Sequence, residues 1–390
     1  MPEPARRLSS LPPYPFALLA RRVSALRNEG RDVIGLHIGS PDLPPPDHVV
    51  DVLDRSARDP THHGYAGFAG TPGLREAMAE YYERRFGVAF DPSSEVLPLI
   101  GSKEGVAHLA LAYLDPGDVA LVPDPGYPTY AAGTVLAGGE PVWFPLRPEN
   151  DFLPDLDRLD GAALERARIL WVNYPNNPTG AVANLESLSK IVTFASEHGL
   201  LLGHDNPYAD VTFDGYRGHS IFEVDGAREV AIEFNSLSKT WNMAGWRVGM
   251  ALARPEIIKA LLNVKSNVDS GLFRPVCDAA EEAIRHTPPA WIAERNAVYQ
   301  ERRDLIMDAL PSIGLSAVPP KAALYVWARV EGGDDQAYVD GALDEAYVCV
   351  TPGSVYGPTG VGYVRISFVV PEDRLQEALQ RLRDWYDTRS

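Results

Sequence analysis

From about residue 70 onward the chain alternates two kinds of apolar spacing. Leu74 to Phe86 (LREAMAEYYERRF) repeats apolar residues at helical intervals, and Lys103 to Leu114 reads as a buried helix with Ser102 at its start. Val119 to Pro123 is a short apolar run ending in the turn DPGYP, and Ile169 to Asn173 is a second, ending in YPNNPTG. Asn184 is placed to cap a helix, because Leu185, Leu188, Ile191, Val192 and Ala195 share one face behind it. Leu200 to Leu202 leads into Gly203-His204-Asp205, and Glu229 to Phe234 leads into Asn235-Ser236. Strands alternating with helices predict an α/β fold whose sheet is mostly parallel, with helices on both faces.

After about residue 275 the texture changes. A long helix over roughly Trp291 to Leu310 precedes a strand at Ala323 to Ala328, then a helix, a short strand, the strand Tyr363 to Val369 and a terminal helix from Glu372. The expected organisation is an N-terminal segment (1–48) joining a smaller α+β domain (286–390), with a large domain between them (49–285).

Composition narrows the function classes. The 390 residues are 45% apolar and 23% charged, enough to bury a large core. The formal net charge of −17 leaves no basic face for a phosphate backbone, so nucleic acid is excluded as a partner. Two distant cysteines, Cys277 and Cys349, make neither a disulfide framework nor a cysteine-rich zinc site, and no metal centre is expected. Prolines at 12, 13 and 15 interrupt the apolar stretch Tyr14 to Ala20, which argues against a signal peptide. No run reaches the roughly 18 to 20 apolar residues of a membrane span. The expected setting is the cytoplasm, with no membrane partner. The 34 prolines are scattered as punctuation, which predicts many sharp loops between regular elements.

In open parallel sheets, ligands bind at the carboxyl ends of the strands. The loops leaving the predicted strands carry Tyr127, Asn177, Asp205 with Tyr208, and Ser236 with Lys239. Singly, each has an ordinary reading: a turn aromatic, a turn former, a cap, a solvated charge. Together they should converge on one crevice. A lysine that forms a Schiff base must lose its proton, and its ordinary pKa of about 10.4 falls with apolar burial or a cationic neighbour. Trp241, Met243, Trp246 and Arg247 supply both near Lys239. An aspartate could pair with a protonated ring nitrogen, asparagine and tyrosine donors could hold a phenolate oxygen, and Tyr127 could stack on a flat ring. Gly101-Ser102 at a helix start, with Ser236 and Arg247, could form a phosphate cup. This set describes a site for pyridoxal 5′-phosphate (PLP).

At these motifs the chain resembles the fold-type I, class I/II PLP-dependent aminotransferases, nearest to the LL-diaminopimelate and bacterial aspartate aminotransferase-like branch. YPNNPTG followed by SLSKTWNMAGWRVG carries the likeness, and LPPYPFA, GSPDLPPP, GSKEGVAHL, DPGYPTY and YVRISFV extend it over nearly the whole chain. The resemblance implies that Lys239 holds PLP covalently and shuttles a proton between substrate and cofactor. It implies that Asp205 partners the pyridine nitrogen and that Tyr208 and Asn177 donate to the ring's phenolic oxygen, with Tyr127 stacked on the ring. Ser102, Lys103, Ser236, Ser238 and Arg247 match the phosphate cup. Tyr65 matches a tyrosine that reaches the phosphate from the neighbouring subunit, which implies a homodimer with shared sites. Arg365 matches the clamp for the substrate α-carboxylate, and Tyr14, Gly39 and Asn267 match further substrate contacts. The implied reaction moves an amino group between an L-amino acid and a 2-oxo acid, on dicarboxylic or diaminopimelate-type substrates. The alternatives are a C–S β-lyase or other amino-acid lyase on the same fold, and a PLP-binding sensor without turnover. Lys321, Arg274, His62 and His63 read as ordinary loop or interface charges.

Overall fold

The computed structural model describes residues 3–11, 14–159 and 161–389. Pro12 and Pro13, invoked above against a signal peptide, lie outside the described residues. A seven-stranded sheet dominates: β1 (Val96–Leu99), β2 (Val119–Asp124), β3 (Glu140–Pro145), β4 (Ala167–Asn173), β5 (Leu201–Asp205), β6 (Ala231–Ser236) and β7 (Gly249–Ala253). Their order across the sheet is β1-β7-β6-β5-β4-β2-β3, parallel throughout except for β7, which runs antiparallel to β1 and β6. The inner strands are buried on both faces, which is why they read as unbroken apolar runs and not as alternations. One face packs Leu121, Leu170, Leu202 and Leu252, and the other packs Leu99, Trp171, Ile232 and Phe234.

The register sets the site. Asn173 at the end of β4 lies beside Asp205 at the end of β5, and Asp205 lies beside Phe234 of β6. β4 and β5 therefore stop level with one another, β6 runs two residues further to Ser236, and the loops that follow them share one rim. Asn184 caps the helix Leu185–Glu197 as expected, its Oδ1 accepting from Ser187 N at 2.8 Å.

A second core joins both ends of the chain. Leu19 and Val23, on the helix Pro15–Asn28, pack with Leu36, Val326, Ile366 and Leu382. Here the strands β8 (Leu315–Ser316), β9 (Tyr325–Val330), β10 (Thr351–Pro352) and β11 (Tyr363–Ser367) form an antiparallel sheet in the order β10-β11-β9-β8. The strand expected from Ala323 starts two residues later, because Ala323 sits at φ 69, in the left-handed region that no strand uses. The long helix spans Pro289–Ala309, with Pro289 in its first turn, where a missing N–H costs nothing. Among the described residues no helix is long and apolar enough to cross a membrane.

Candidate active site

A cavity of about 410 Å³ opens where β4, β5 and β6 end, under the N-terminal segment and against β9 and β11. Its wall gathers most of the residues singled out by the motifs. Lys239, Asp205, Tyr208, Asn177 and Tyr127 line it from the loops of the large sheet. Ser102, Lys103, Ser236, Ser238 and Arg247 line one end of it. Tyr14, Gly39 and Arg365 close it from the other side. Two expected residues do not join it. Tyr65 is 90% exposed, and Asn267 turns its amide back onto Asn263 O at 2.8 Å within its own helix.

Lys239 follows β6 in the one-turn helix Leu237–Thr240. Its amine donates to Gly39 O, and no carboxylate salt-bridges to it among the described residues. Burial pushes that amine below the ordinary lysine range, Tyr325 pulls it up, and Arg365 and Arg247 add to the fall. Asp205, 6% exposed, accepts from Tyr130 Oη at 2.7 Å through Oδ2, while its buried Oδ1 has no partner. Burial raises its pKa to about 6. An orphaned carboxylate oxygen of this kind fits a cationic ring nitrogen.

The same orphan costs stability in the ligand-free protein. The carboxyl's folded pKa of about 6 lies above its ordinary value, so the native state holds the proton more tightly. The cost is absent below about pH 4, grows between about pH 4 and 6, and is full above that, reaching about 2–3 kcal/mol. Asp205→Asn keeps an acceptor for Tyr130 and is therefore expected to stabilise the ligand-free protein by about 2 kcal/mol at pH 7 and by little at pH 4. Urea denaturation at the two pH values checks this. An equal gain at both would contradict it.

Arg365 is 3% exposed on β11. Its Nη1 donates to Asn177 Oδ1 at 2.9 Å and its Nη2 to His37 O at 2.7 Å, while its buried Nε has no partner. Three rings box it, with Tyr325 at 4.0 Å, Tyr356 at 5.1 Å and Phe16 at 5.5 Å from ring centroid to Cζ. Among the described residues no carboxylate neutralises this buried fork, so it is set to receive one from a ligand. Burial and then Arg365 push the His37 imidazole down to about 4, so it stays neutral beside the guanidinium.

The opposite end is shaped for an anion. The helix Ser102–Tyr113 starts after Gly101 at φ 74, and its first two residues, Ser102 and Lys103, line the cavity. A Cβ on Gly101 would overlap the Arg247 guanidinium, and one on Gly249 would overlap Ser102 N, so both glycines let backbone and guanidinium close in. Arg247 holds φ 60, a left-handed strain for a non-glycine residue, and donates Nη1 to Ala244 O at 2.7 Å.

Other residues shape the site without a motif to mark them. Asn173 donates to Asp205 O at 2.6 Å and accepts from Asn177 N at 2.7 Å, tying two strand ends to the YPNNPTG loop. Tyr130 holds Asp205, and its place in DPGYPTY, three residues after Tyr127, was the available signal. Tyr325 lines the cavity beside Arg365.

An α/β sheet that brings an amine of lowered pKa, an orphaned aspartate and an unneutralised arginine to one cavity defines an enzyme of amino-acid chemistry. Known proteins give the class its name. The family described as aminotransferase class I and II matches residues 31–382. The LL-diaminopimelate aminotransferase of Dehalococcoides mccartyi is 48% identical over 98% of this chain and 98% of its own. Among solved structures, apo-BacF of Bacillus subtilis superposes with a TM-score of 0.94, 37% identity and 99% coverage of both chains. The aspartate aminotransferase of Thermus thermophilus with maleate gives 0.92, 33% identity, and covers 99% of this chain and 100% of that one. The chain belongs to the class I and II aminotransferase family, and it is an aminotransferase of fold type I.

Proposed function

We propose that this aminotransferase works through PLP and moves an amino group between an L-amino acid of the dicarboxylic or diaminopimelate type and a 2-oxo acid. The observation that carries the reading is one cavity holding a lysine amine without a carboxylate salt bridge, an aspartate oxygen without a donor and an arginine fork without a carboxylate. When bound, PLP supplies an electron sink for the carbon that bears the amino group. Lys239 anchors it covalently and then carries the proton between that carbon and the cofactor. Asp205 holds the ring nitrogen's proton, Tyr208 and Asn177 donate to the phenolic oxygen, and Tyr127 covers the ring. The start of the helix Ser102–Tyr113, with Ser236, Ser238 and Arg247, binds the phosphate. Arg365 takes the α-carboxylate in its fork, and Gly39 and Tyr14 close over the substrate.

Two observations support a substrate with a second charged end. The relative in Dehalococcoides mccartyi is named for LL-diaminopimelate. Lys103 also lines the cavity, its amine 4.6 Å from the centroid of the Tyr14 ring, and no carboxylate pairs with it among the described residues. That amine is placed to read a distal carboxylate. The exposed Tyr65 ring, with exposed Phe68 three residues on and exposed Val268 and Phe273 on the segment that meets it at the His63–Phe273 contact of 6.0 Å, supports a homodimer in which Tyr65 enters a second copy's phosphate site. Asn267, on the same exposed side as Val268, is assigned to that shared region. The cytoplasm as its setting is supported by Cys277 and Cys349, both buried and unpaired. The N-terminal segment's packing with the C-terminal core supports domain limits near residues 48 and 286.

A half-reaction screen tests the reading. The PLP-loaded protein is mixed with single amino acids, and loss of its visible band is followed for each. LL-diaminopimelate, glutamate and aspartate are expected to react faster than alanine or phenylalanine. Reaction confined to monocarboxylic amino acids would contradict the substrate class. Release of pyruvate and ammonia from a cysteine conjugate, without any 2-oxo acid, would favour the lyase chemistry instead.

A further inference from the structure

Tyr325 stands at the junction of two parts of the site that the reading above treats separately. It opens β9 two residues after the left-handed Ala323, and only 3% of it is exposed. Trp327 pairs with Arg365 across β9 and β11, so Tyr325 is the diagonal neighbour of Arg365 on the same face. Its ring lies 4.0 Å from the guanidinium carbon, nearer than the other two rings. Its hydroxyl lies 2.9 Å from Tyr208 Oη, with the two rings edge to face at 5.8 Å. The space is reserved for it, because a Cβ on Gly39 would overlap the Tyr325 hydroxyl.

The direction of the Tyr208–Tyr325 hydrogen bond follows from their surroundings. The charged and titratable groups facing Tyr325 are Arg365 on β11, Lys239 after β6, Tyr208 after β5, Tyr127 after β2 and Tyr356 after β10. Burial pushes its phenol up, but the Arg365 and Lys239 cations pull it down, and the net direction is below the ordinary tyrosine value. Burial drives the Tyr208 phenol well above that value, with Tyr325 adding to the rise. With its ring 4.0 Å from the Arg365 guanidinium carbon, Tyr325 is the better donor of the pair, and we take it to donate to Tyr208. The proton of Tyr208 stays free to point into the cavity, and a hydroxyl that accepts one hydrogen bond donates a second more strongly.

We propose that Tyr325 is a positioning residue that wires the carboxylate clamp to the ring-oxygen donor, its ring holding the plane of Arg365 and its hydroxyl fixing the direction and strength of the Tyr208 hydrogen bond. The inference rests on the PLP reading, in which Tyr208 donates to the phenolic oxygen. A donor to that oxygen favours the state in which the lysine–cofactor link has lost its proton and the oxygen carries the charge. Weakening the donor raises the pH at which the link titrates.

The test follows the pH midpoint of the visible band in PLP-loaded wild type, Tyr325→Phe, Tyr208→Phe and the double variant. Tyr325→Phe keeps the ring and is expected to raise the midpoint by about 0.5–1 pH unit. Tyr208→Phe is expected to raise it further, and adding Tyr325→Phe to it to change nothing more, because the hydroxyl acts through Tyr208. Tyr325→Phe is also expected to leave KM for the amino donor within about twofold, while Tyr325→Leu, which removes the ring under Arg365, raises it about five- to tenfold. A midpoint unmoved by Tyr325→Phe, or a full additional shift in the Tyr208→Phe background, would overturn the inference and leave the PLP reading standing. A wild type that forms no titrating band with PLP would overturn both.

Discussion

Lys239→Ala is expected to lower amino transfer by more than about 10⁴-fold while leaving the fold as stable as the wild type, or slightly more so. The loss is large because two jobs end together: the covalent hold on the cofactor and the proton transfer at the reacting carbon. The stability expectation comes from the surroundings of the amine. Among the described residues its one hydrogen bond is to Gly39 O, and burial disfavours its charged form. The turn that carries it is held by its neighbours instead, with Ser236 Oγ accepting from Ser238 N at 3.2 Å and Leu237 N bonding to Val248 O at 3.1 Å. Steady-state assays and a thermal melt of the same sample separate the two expectations. A variant inactive only because it had unfolded would show a fall in Tm, which this geometry does not predict.

Arg365→Leu is the second large effect. The guanidinium is buried with one amide and one backbone carbonyl as acceptors and a free Nε, so a substrate carboxylate completes its bonding. Truncating one partner of such a pair costs about 3 kcal/mol, a loss of roughly a hundredfold or more in kcat/KM. Arg365→Lys restores the charge but not the planar fork, and is expected to recover only about a tenth of the wild-type value. Because Arg365 also holds Asn177, the defect should appear in kcat as well as in KM. A rise in KM alone would place Arg365 in binding only.

The same contacts explain what the sequence could and could not disclose. The inner strands β2, β4, β5 and β6 were legible because both faces are buried, which leaves near-continuous apolar runs between sharp loops. The edge strands β1 and β3 were not, because proline interrupts each short run, as an edge tolerates; the central β2 also holds a proline, Pro123, but beyond its last pairing with β4 at Leu121. β7 (GMALA) escaped for want of β-branched and aromatic residues. In the site, Lys239, Asn177 and Arg247 stand in motifs that are local in sequence. Tyr130, Asn173 and Tyr325 act across the fold, as in Tyr130 to Asp205 at a separation of 75 residues and Tyr208 to Tyr325 at 117. No local pattern encodes such a meeting. It is created by the register of strands that the loops interrupt. Tyr65 shows the converse case, a residue marked by its motif whose place in one chain is solvent.

A single nitrogen, Nζ of Lys239, carries the proposed chemistry, and chemical trapping reads it directly. The wild-type protein is incubated with PLP, reduced with borohydride so that any carbon–nitrogen link becomes permanent, digested and mapped by mass spectrometry. The expected result is one modified site, on the peptide containing Lys239, with Lys103, Lys265 and Lys321 unmodified. A stable adduct on another lysine, or none at all on Lys239, would contradict the account.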